Sequence, residues 1–266
     1  MNIVVCVKQV PGAAVVEIDP ETGVLKRDGV DAKLNPYDLY AIEAALALSE
    51  KTESRVTALS MGPPQACAAL LETLYMGVDH AILISDRRFA GSDVLATAYT
   101  LSQAISGNGF DVIICGKQTT DGDTAQVGAE LAEFLGIPHV SGVMAIHAGG
   151  DGDEYSRGLS LTTGLDDQIA TLYMPLPCLL CMDGGINTPR LPSYKRKRNI
   201  APDSVQVVSL LDFEDKNEMH YGLNGSPTQV ERTFPPEVSE RHEIIGGGSL
   251  HIAERLTAVL IENKFI

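Results

Sequence analysis

Along the first half of the chain, short apolar runs alternate with segments whose apolar residues recur every three or four positions. Ile3–Val7 (IVVCV), Val56–Leu59, Ala81–Ile84 and Val112–Cys115 are short, largely aliphatic runs, the pattern of strands buried on both faces. Asp19-Pro20-Glu21-Thr22-Gly23, between VVEI and VLKR, predicts a hairpin turn. Asn35-Pro36 opens a helix with Asn at the N-cap and Pro at its first position, and Leu39, Ile42, Ala45 and Leu46 mark its apolar stripe. Further helices run from Pro63-Pro64 to a stop at Gly77, over Asp93–Ile105, and over Thr124–Leu135, ending at Gly136-Ile137-Pro138. Strands alternating with helices of this length build βαβ units. The expected fold class is therefore α/β, a doubly wound, mostly parallel, Rossmann-like sheet.

After Val140 the rhythm changes. A turn cluster begins at His147, and Tyr155–Leu161 and Gln168–Met174 predict antiparallel strands added to a sheet edge. Leu179–Met182 predicts a last short buried strand. From Asn217 to Gly248 there is no strong period, and His251–Lys264 can form a terminal helix. The expected organisation is an α/β domain over residues 1–210, including a loop at 186–199, followed by an extended C-terminal arm over 211–266.

Composition narrows the function. A chain of 266 residues makes one or two domains at about 150 residues each. Twenty Lys and Arg against 35 Asp and Glu leave a net charge of −15, which argues against nucleic acid or an anionic membrane surface as the main partner. Aromatics make up 5% with no Trp, too few for stacking on single strands. No apolar run approaches the roughly 20 residues of a membrane span, and Met1-Asn2 leads straight into a strand, so neither membrane insertion nor a signal peptide is expected. Five cysteines in apolar surroundings fit a reduced, cytoplasmic protein. Neither G-x-G-x-x-G nor a P-loop is present, and no Cys/His cluster has metal-ligand spacing. Cys178 and Cys181, three apart in a strand, point to opposite faces and read as inert thiols. No nucleophile or acid–base pair stands out. Function is expected to rest on binding a cofactor and a partner.

The segment VIICGKQTTDGDTAQVG, residues 112–128, carries the chemistry. A strand end, a polar loop and a helix start sit together, and in an open parallel sheet ligands bind outside the carboxyl ends of the strands. A helix starting near Thr124 would offer the free N–H groups of Ala125, Gln126 and Val127 to a phosphate. Thr124 adds a hydroxyl and Gln126 an amide, while Gly122 allows close approach. The purely structural alternative makes Asp123 an N-cap and Gln126 the partner of a capping box.

GKQTTDGDTAQVG closely resembles the signature of the β subunit of electron transfer flavoproteins. The resemblance extends to Val5-Cys6-Val7-Lys8, Leu34-Asn35-Pro36-Tyr37-Asp38, Leu59-Ser60-Met61-Gly62-Pro63 and Asn187-Thr188-Pro189-Arg190, covering nearly the whole chain in order. In that family these segments line one adenine-nucleotide site. The resemblance therefore implies contacts from Cys6, Asn35, Pro36, Tyr37, Asp38, Met61, Thr119, Thr120, Asp121, Gly122, Asp123, Thr124, Ala125, Gln126 and Val127. Housekeeping members hold structural AMP there; electron-bifurcating members hold a second FAD, with NAD(H) docking beside its ring. Asp121–Gln126 resembles the bifurcating version. The implied cofactors are FAD and exchangeable NAD(H), with AMP in place of FAD as the alternative. Such a protein would supply position and electrostatics to a flavin that brings its own redox chemistry.

Residues 189–198 (PRLPSYKRKR) place five basic residues within nine positions of an acidic chain. The family's counterpart docks a dehydrogenase, which implies docking roles for Arg190, Leu191, Tyr194, Lys195, Arg196, Lys197 and Arg198; the bland reading is a solvated basic face. The loop is a few residues shorter than the version that engages acyl-CoA dehydrogenases. A flavin-dependent lactate or 2-hydroxyacid dehydrogenase therefore stands beside an acyl-CoA dehydrogenase as the expected partner. The implied partners also include an electron transfer flavoprotein α subunit and, through the complex, ferredoxin. The rival from another class is a nucleotide-binding regulator that holds ATP or AMP and moves no electrons.

Overall fold

In the computed structural model the described residues are 1–12, 32–107, 109–147, 158–165, 167–231 and 244–266. The hairpin turn expected at Asp19–Gly23 lies outside them, as does the start of the strand expected from Tyr155. The first half runs β1 (Asn2–Cys6), β2 (Gln9–Pro11), β3 (Ala32–Leu34), α1 (Pro36–Thr52), β4 (Arg55–Met61), α2 (Cys67–Met76), β5 (His80–Ile84), α3 (Val94–Ser106), β6 (Val112–Gly116) and α4 (Val127–Leu135). Then come β7 (His139–His147), β8 (Gly158–Gly164), β9 (Ile169–Pro175), β10 (Cys178–Met182), α5 (Tyr194–Asn199), β11 (Val205–Val208) and α6 (Ser249–Glu262).

Nine strands form one sheet in the order β11-β5-β4-β1-β6-β10-β7-β8-β9, and β2 pairs with β3 apart from it. The seven strands from β11 to β7 pair in parallel, and β8 and β9 add antiparallel. Period two divides the buried strands between two cores. Ile3 and Val5 face α1 and α2, whereas Val4 faces α3 and α4. Cys178 and Cys181 separate in the same way, one to each core. A doubly wound α/β sheet with an antiparallel edge is thus the fold. Its strand order reverses at β1, between β4 and β6, which places a crevice at the carboxyl ends of those three strands.

The chain departs from the sequence expectations in three places. His139–His147 is a nine-residue strand that bridges the parallel and antiparallel parts. Alternation is poor there because a bulge and Gly142 in a left-handed conformation (φ +69°) interrupt the pleat. Helix α4 begins at Val127, three residues after Thr124, so the expected helix start is corrected. Lastly, the chain from Leu210 through Tyr221, which includes the start of the aperiodic segment, packs firmly on the sheet domain. Leu210, Phe213 and Tyr221 are buried against Phe89 beneath α3, with the Phe89 and Phe213 rings stacked at 5.6 Å. Arg88 joins Asp86 and Glu218 in an ion cluster that holds the same segment. By contrast, α6 has no buried residue. No helix among the described residues is long and apolar enough to cross a membrane.

Candidate functional site

A cleft of about 450 Å³ opens at the crevice, within the usual range for a small-molecule site. Its floor is made by the last residues of β1, β4 and β6, namely Cys6, Leu59, Met61 and Cys115. Cys6 stands in register with both Leu59 and Cys115, which is why three separate segments reach one floor. The walls come from the loop after β6 and from the first residues of α3 and α4.

The loop after β6 has an unusual backbone. Asp123 and Ala125 sit at positive φ (52° and 56°), a region that costs a residue with a Cβ on the order of 1 kcal/mol or more. Gln126 follows at φ −110°, ψ −31° as the N-cap position of α4, and its side chain makes no cap bond. The capping box of the purely structural alternative is absent. Asp123 accepts instead from Gln118 Nε2. A left-handed residue followed by a right-handed one turns successive N–H groups toward a common concavity, a nest suited to anions. The N–H groups of Ala125, Gln126 and Val127 have no hydrogen-bond partner among the described residues, and these three residues line the cleft. The sequence predicts these donors on a helix starting near Thr124; here Ala125 and Gln126 precede α4 and Val127 is its first residue.

Two lysines frame the same concavity. Lys8 Nζ lies 2.7 Å from Asp121 and Lys117 Nζ lies 3.3 Å from Asp183, and both lysines line the cleft. Burial opposes ionisation of Asp121, yet hydrogen bonds from Lys8, Thr119 and the Gly122 N–H hold its carboxyl below the usual range. Behind the loop, Asn35 and Asp38 at the start of α1 are buried. Gly116 has to be glycine, because a Cβ there would lie 2.4 Å from Asp38 Oδ1. Gly128 is confined likewise, with its absent Cβ 2.4 Å from Cys181 Sγ, and this brings α4 down onto the sheet. A hydrogen bond with Cys6, together with burial, pushes the Cys115 thiol well up, and burial lifts Cys181 to about 11. Among the described residues no group of three or more His, Cys, Asp or Glu is placed to hold a metal ion.

Of the expected contacts, Cys6, Asp38, Met61, Thr119, Gly122, Thr124, Ala125, Gln126 and Val127 line the cleft. Asn35, Pro36, Tyr37, Thr120, Asp121 and Asp123 do not. Asn35 is sealed behind the loop, the Tyr37 ring lies against Gly184, and Thr120, Asp121 and Asp123 turn outward. Sequence reasoning missed Lys8 and Lys117 as cleft residues, although both belong to the quoted motifs. It also missed Ser92, Asp93, Val94 and Thr97 on the α3 wall and Thr228 on the aperiodic segment. The rule that sites form at strand ends, applied to the turn after β5, would have pointed to Ser92 and Asp93. Nothing in the local pattern marks Thr228, whose hydroxyl and N–H both donate to Asp93 Oδ2.

The basic segment is only partly free. Arg190 donates to Glu43 and Glu50 on α1, and Arg196 caps the end of α2 by donating to the Leu74 and Val78 carbonyls. Those two arginines tie the segment to the fold. Leu191 (87% exposed), Tyr194 (76%), Lys195, Lys197 and Arg198 project outward from the short helix α5 and its approach.

Comparison with known proteins agrees with this arrangement. Residues 22–210 match the electron transfer flavoprotein domain. The electron transfer flavoprotein subunit beta of Clostridium acetobutylicum is 40% identical over 266 residues, covering all of both chains. Protein FixA of Azorhizobium caulinodans is 38% identical over 99% of this chain and 95% of its own. The caffeyl-CoA reductase-Etf complex subunit CarD of Acetobacterium woodii is 38% identical over the full length of both. With a nest-bearing cleft at the sheet's switch point and likeness that runs from end to end, this chain belongs to the electron transfer flavoprotein family, among its beta subunits.

Proposed function

We propose that the chain binds FAD in this cleft and pairs with an electron transfer flavoprotein α subunit. The complex passes electrons between NAD(H), ferredoxin and a flavin dehydrogenase by electron bifurcation or its reverse. The observation that carries the reading is the set of three N–H groups at Ala125–Val127 without a partner among the described residues, in a cleft that Lys8 and Lys117 also line and whose floor is apolar. That donor set suits a pyrophosphate, and the floor of Cys6, Leu59 and Met61 suits a flat ring system. FAD fits these residues. When bound it supplies the one- and two-electron chemistry, and the chain's residues hold the phosphates, exclude water from the floor and fix the orientation. The likeness of Asp121–Gln126 to the bifurcating loop favours FAD over AMP.

The dehydrogenase reading rests on Leu191, Tyr194, Lys195, Lys197 and Arg198, the outward part of the basic segment. The CarD relative, named for a caffeyl-CoA reductase complex, supports an acyl-CoA type. The shortened loop supports a lactate or 2-hydroxyacid type. We place the complex in the cytoplasm, in keeping with five unpaired cysteines.

The test is extraction of the bound nucleotide from the purified heterodimer, with FAD in the β subunit as the expected result. Recovery of one AMP and one FAD per heterodimer, in place of two FAD, would give the housekeeping reading. Replacing Gln126 by Glu sets a carboxylate against the phosphates, a repulsion on the order of 1–4 kcal/mol at partial exposure. This variant is expected to lose one of two flavins per heterodimer while the α-subunit flavin stays. Unchanged flavin content would sink the placement.

A further inference from the structure

We propose that Asn35 and Asp38 are positioning residues, which hold the nucleotide loop in its anion-binding shape from behind. The inference rests on the nucleotide reading for its ligand but concerns a different layer of the site. Asn35 occupies the N-cap position of α1, yet its side chain does not cap that helix. Its amide reaches sideways into the loop. Nδ2 donates to the Gln118 carbonyl at 2.8 Å and to Asp38 Oδ1 at 2.9 Å, and Oδ1 accepts from the Thr120 N–H at 3.2 Å. Both donor hydrogens of the amide and one of the two acceptor positions on its oxygen are thus engaged. With no exposed surface, Asn35 has nothing left to offer a ligand.

Asp38 completes the arrangement. Oδ2 accepts the Lys8 N–H at 2.7 Å, and the Gly116 N–H also donates to the carboxyl. Its oxygens are engaged by chain donors even though the residue borders the cleft. Two side chains thus bind four backbone points: Lys8 after β1, Gly116 at the end of β6, and Gln118 and Thr120 in the loop. Those points set where the loop leaves the sheet, and the nest at Ala125–Val127 hangs from it. Buried polar groups that lose a partner destabilise whatever they hold, so the loop's shape depends on this pair.

The experiment needs Asn35→Ala, Asn35→Asp, Asp38→Asn and the double variant N35D/D38N in the full-length chain. In the double variant the bond between the two residues runs in reverse and the Thr120 and Lys8 N–H groups keep their acceptors, while the Gln118 carbonyl loses its donor, so the rescue is partial. Amide hydrogen exchange over 116–127 is read without any ligand, and affinity is read by titration with FAD. Each single variant is expected to speed exchange in 116–127 at least tenfold, with the amides of β4 and β5 unchanged, and to weaken FAD binding at least tenfold. The double variant is expected to recover much of both losses, a rescue that a general loss of stability would not produce. If Asn35→Ala fails to fold, the near-isosteric Asp38→Asn and the double variant decide the matter. Weakened FAD binding with unchanged exchange would mean direct ligand contact and would overturn the proposal. So would exchange within twofold of the parent. If the parent chain takes up no FAD, the cofactor reading fails, and the exchange measurement still judges this one.

Discussion

Asp38 is charged at a cost. Burial pushes its carboxyl up to about 7, only partly offset by hydrogen bonds from Asn35, Lys8 and Gly116 and by the Lys8 charge. Its other ionisable neighbour is the Cys115 thiol, itself pushed up. In the unfolded chain the same carboxyl ionises near 3.9. Between about pH 4 and pH 7 the folded form therefore keeps a proton that the unfolded form has released, so stability falls as pH rises through that window. The difference amounts to about 4 kcal/mol as a ceiling. Asp38→Asn, which cannot ionise, is expected to show a flatter decline between pH 4 and 7 in urea unfolding. Parallel pH profiles for variant and parent would show that Asp38 titrates as an ordinary surface acid. The carboxylates with lowered values act in the opposite sense: Glu43 beside Arg190, and Asp86 beside Arg88, stabilise above their unfolded range and lose that contribution in acid.

At the scale of elements, α5 shows how one basic run divides its work. Arg190 and Arg196 anchor the segment, and their positions would be misread if every charge were assigned to a partner. In the docking role we propose, the charges at Lys195, Lys197 and Arg198 act over the screening length of about 8–10 Å and would govern encounter. The exposed Tyr194 ring would set how long the partner stays. Neutralising the three cations is expected to slow association with the dehydrogenase and flatten its salt dependence. Tyr194→Ala is expected to speed dissociation with the salt dependence kept. Stopped-flow electron transfer from reduced heterodimer to dehydrogenase separates the two, and normal rates in both variants would return the segment to a solvated face. Flavin content is expected to stay constant, because none of these residues lines the cleft.

The whole molecule divides differently from the sequence reading at its C-terminal side. The segment through Ser226 adheres to the sheet domain by Phe213, Tyr221 and the Ser226 hydroxyl, which accepts from the Asp93 N–H. Helix α6 buries no residue of its own and shows Leu250, Leu256 and Ile261 to solvent. We place the reach toward the α subunit in this distal part of the 211–266 arm. Deleting residues 244–266 is expected to shift the melting temperature by no more than a few degrees, since α6 buries no residue. The same deletion is expected to abolish copurification with the α subunit. A large drop in melting temperature would show that the arm belongs to the domain's own core.

The strands β1, β4, β5 and β6, the helices between them and the parallel sheet were legible in the residues alone, because a two-sided core demands continuous apolar runs and each run is local. The loop at 112–128 was legible as a site for the same reason: a strand end, glycines and a helix start are neighbours in sequence. Tertiary structure alone decided how that loop presents its donors. Gln118 and Thr120, at the start of that loop, are held by Asn35, 83 and 85 positions away in the sequence. It also decided that Arg190 and Arg196 face inward, since Glu43 on α1 and the last carbonyls of α2 meet them only once the sheet is wound. Thr228 joins the cleft through Asp93, a contact across 135 positions that no local period can encode.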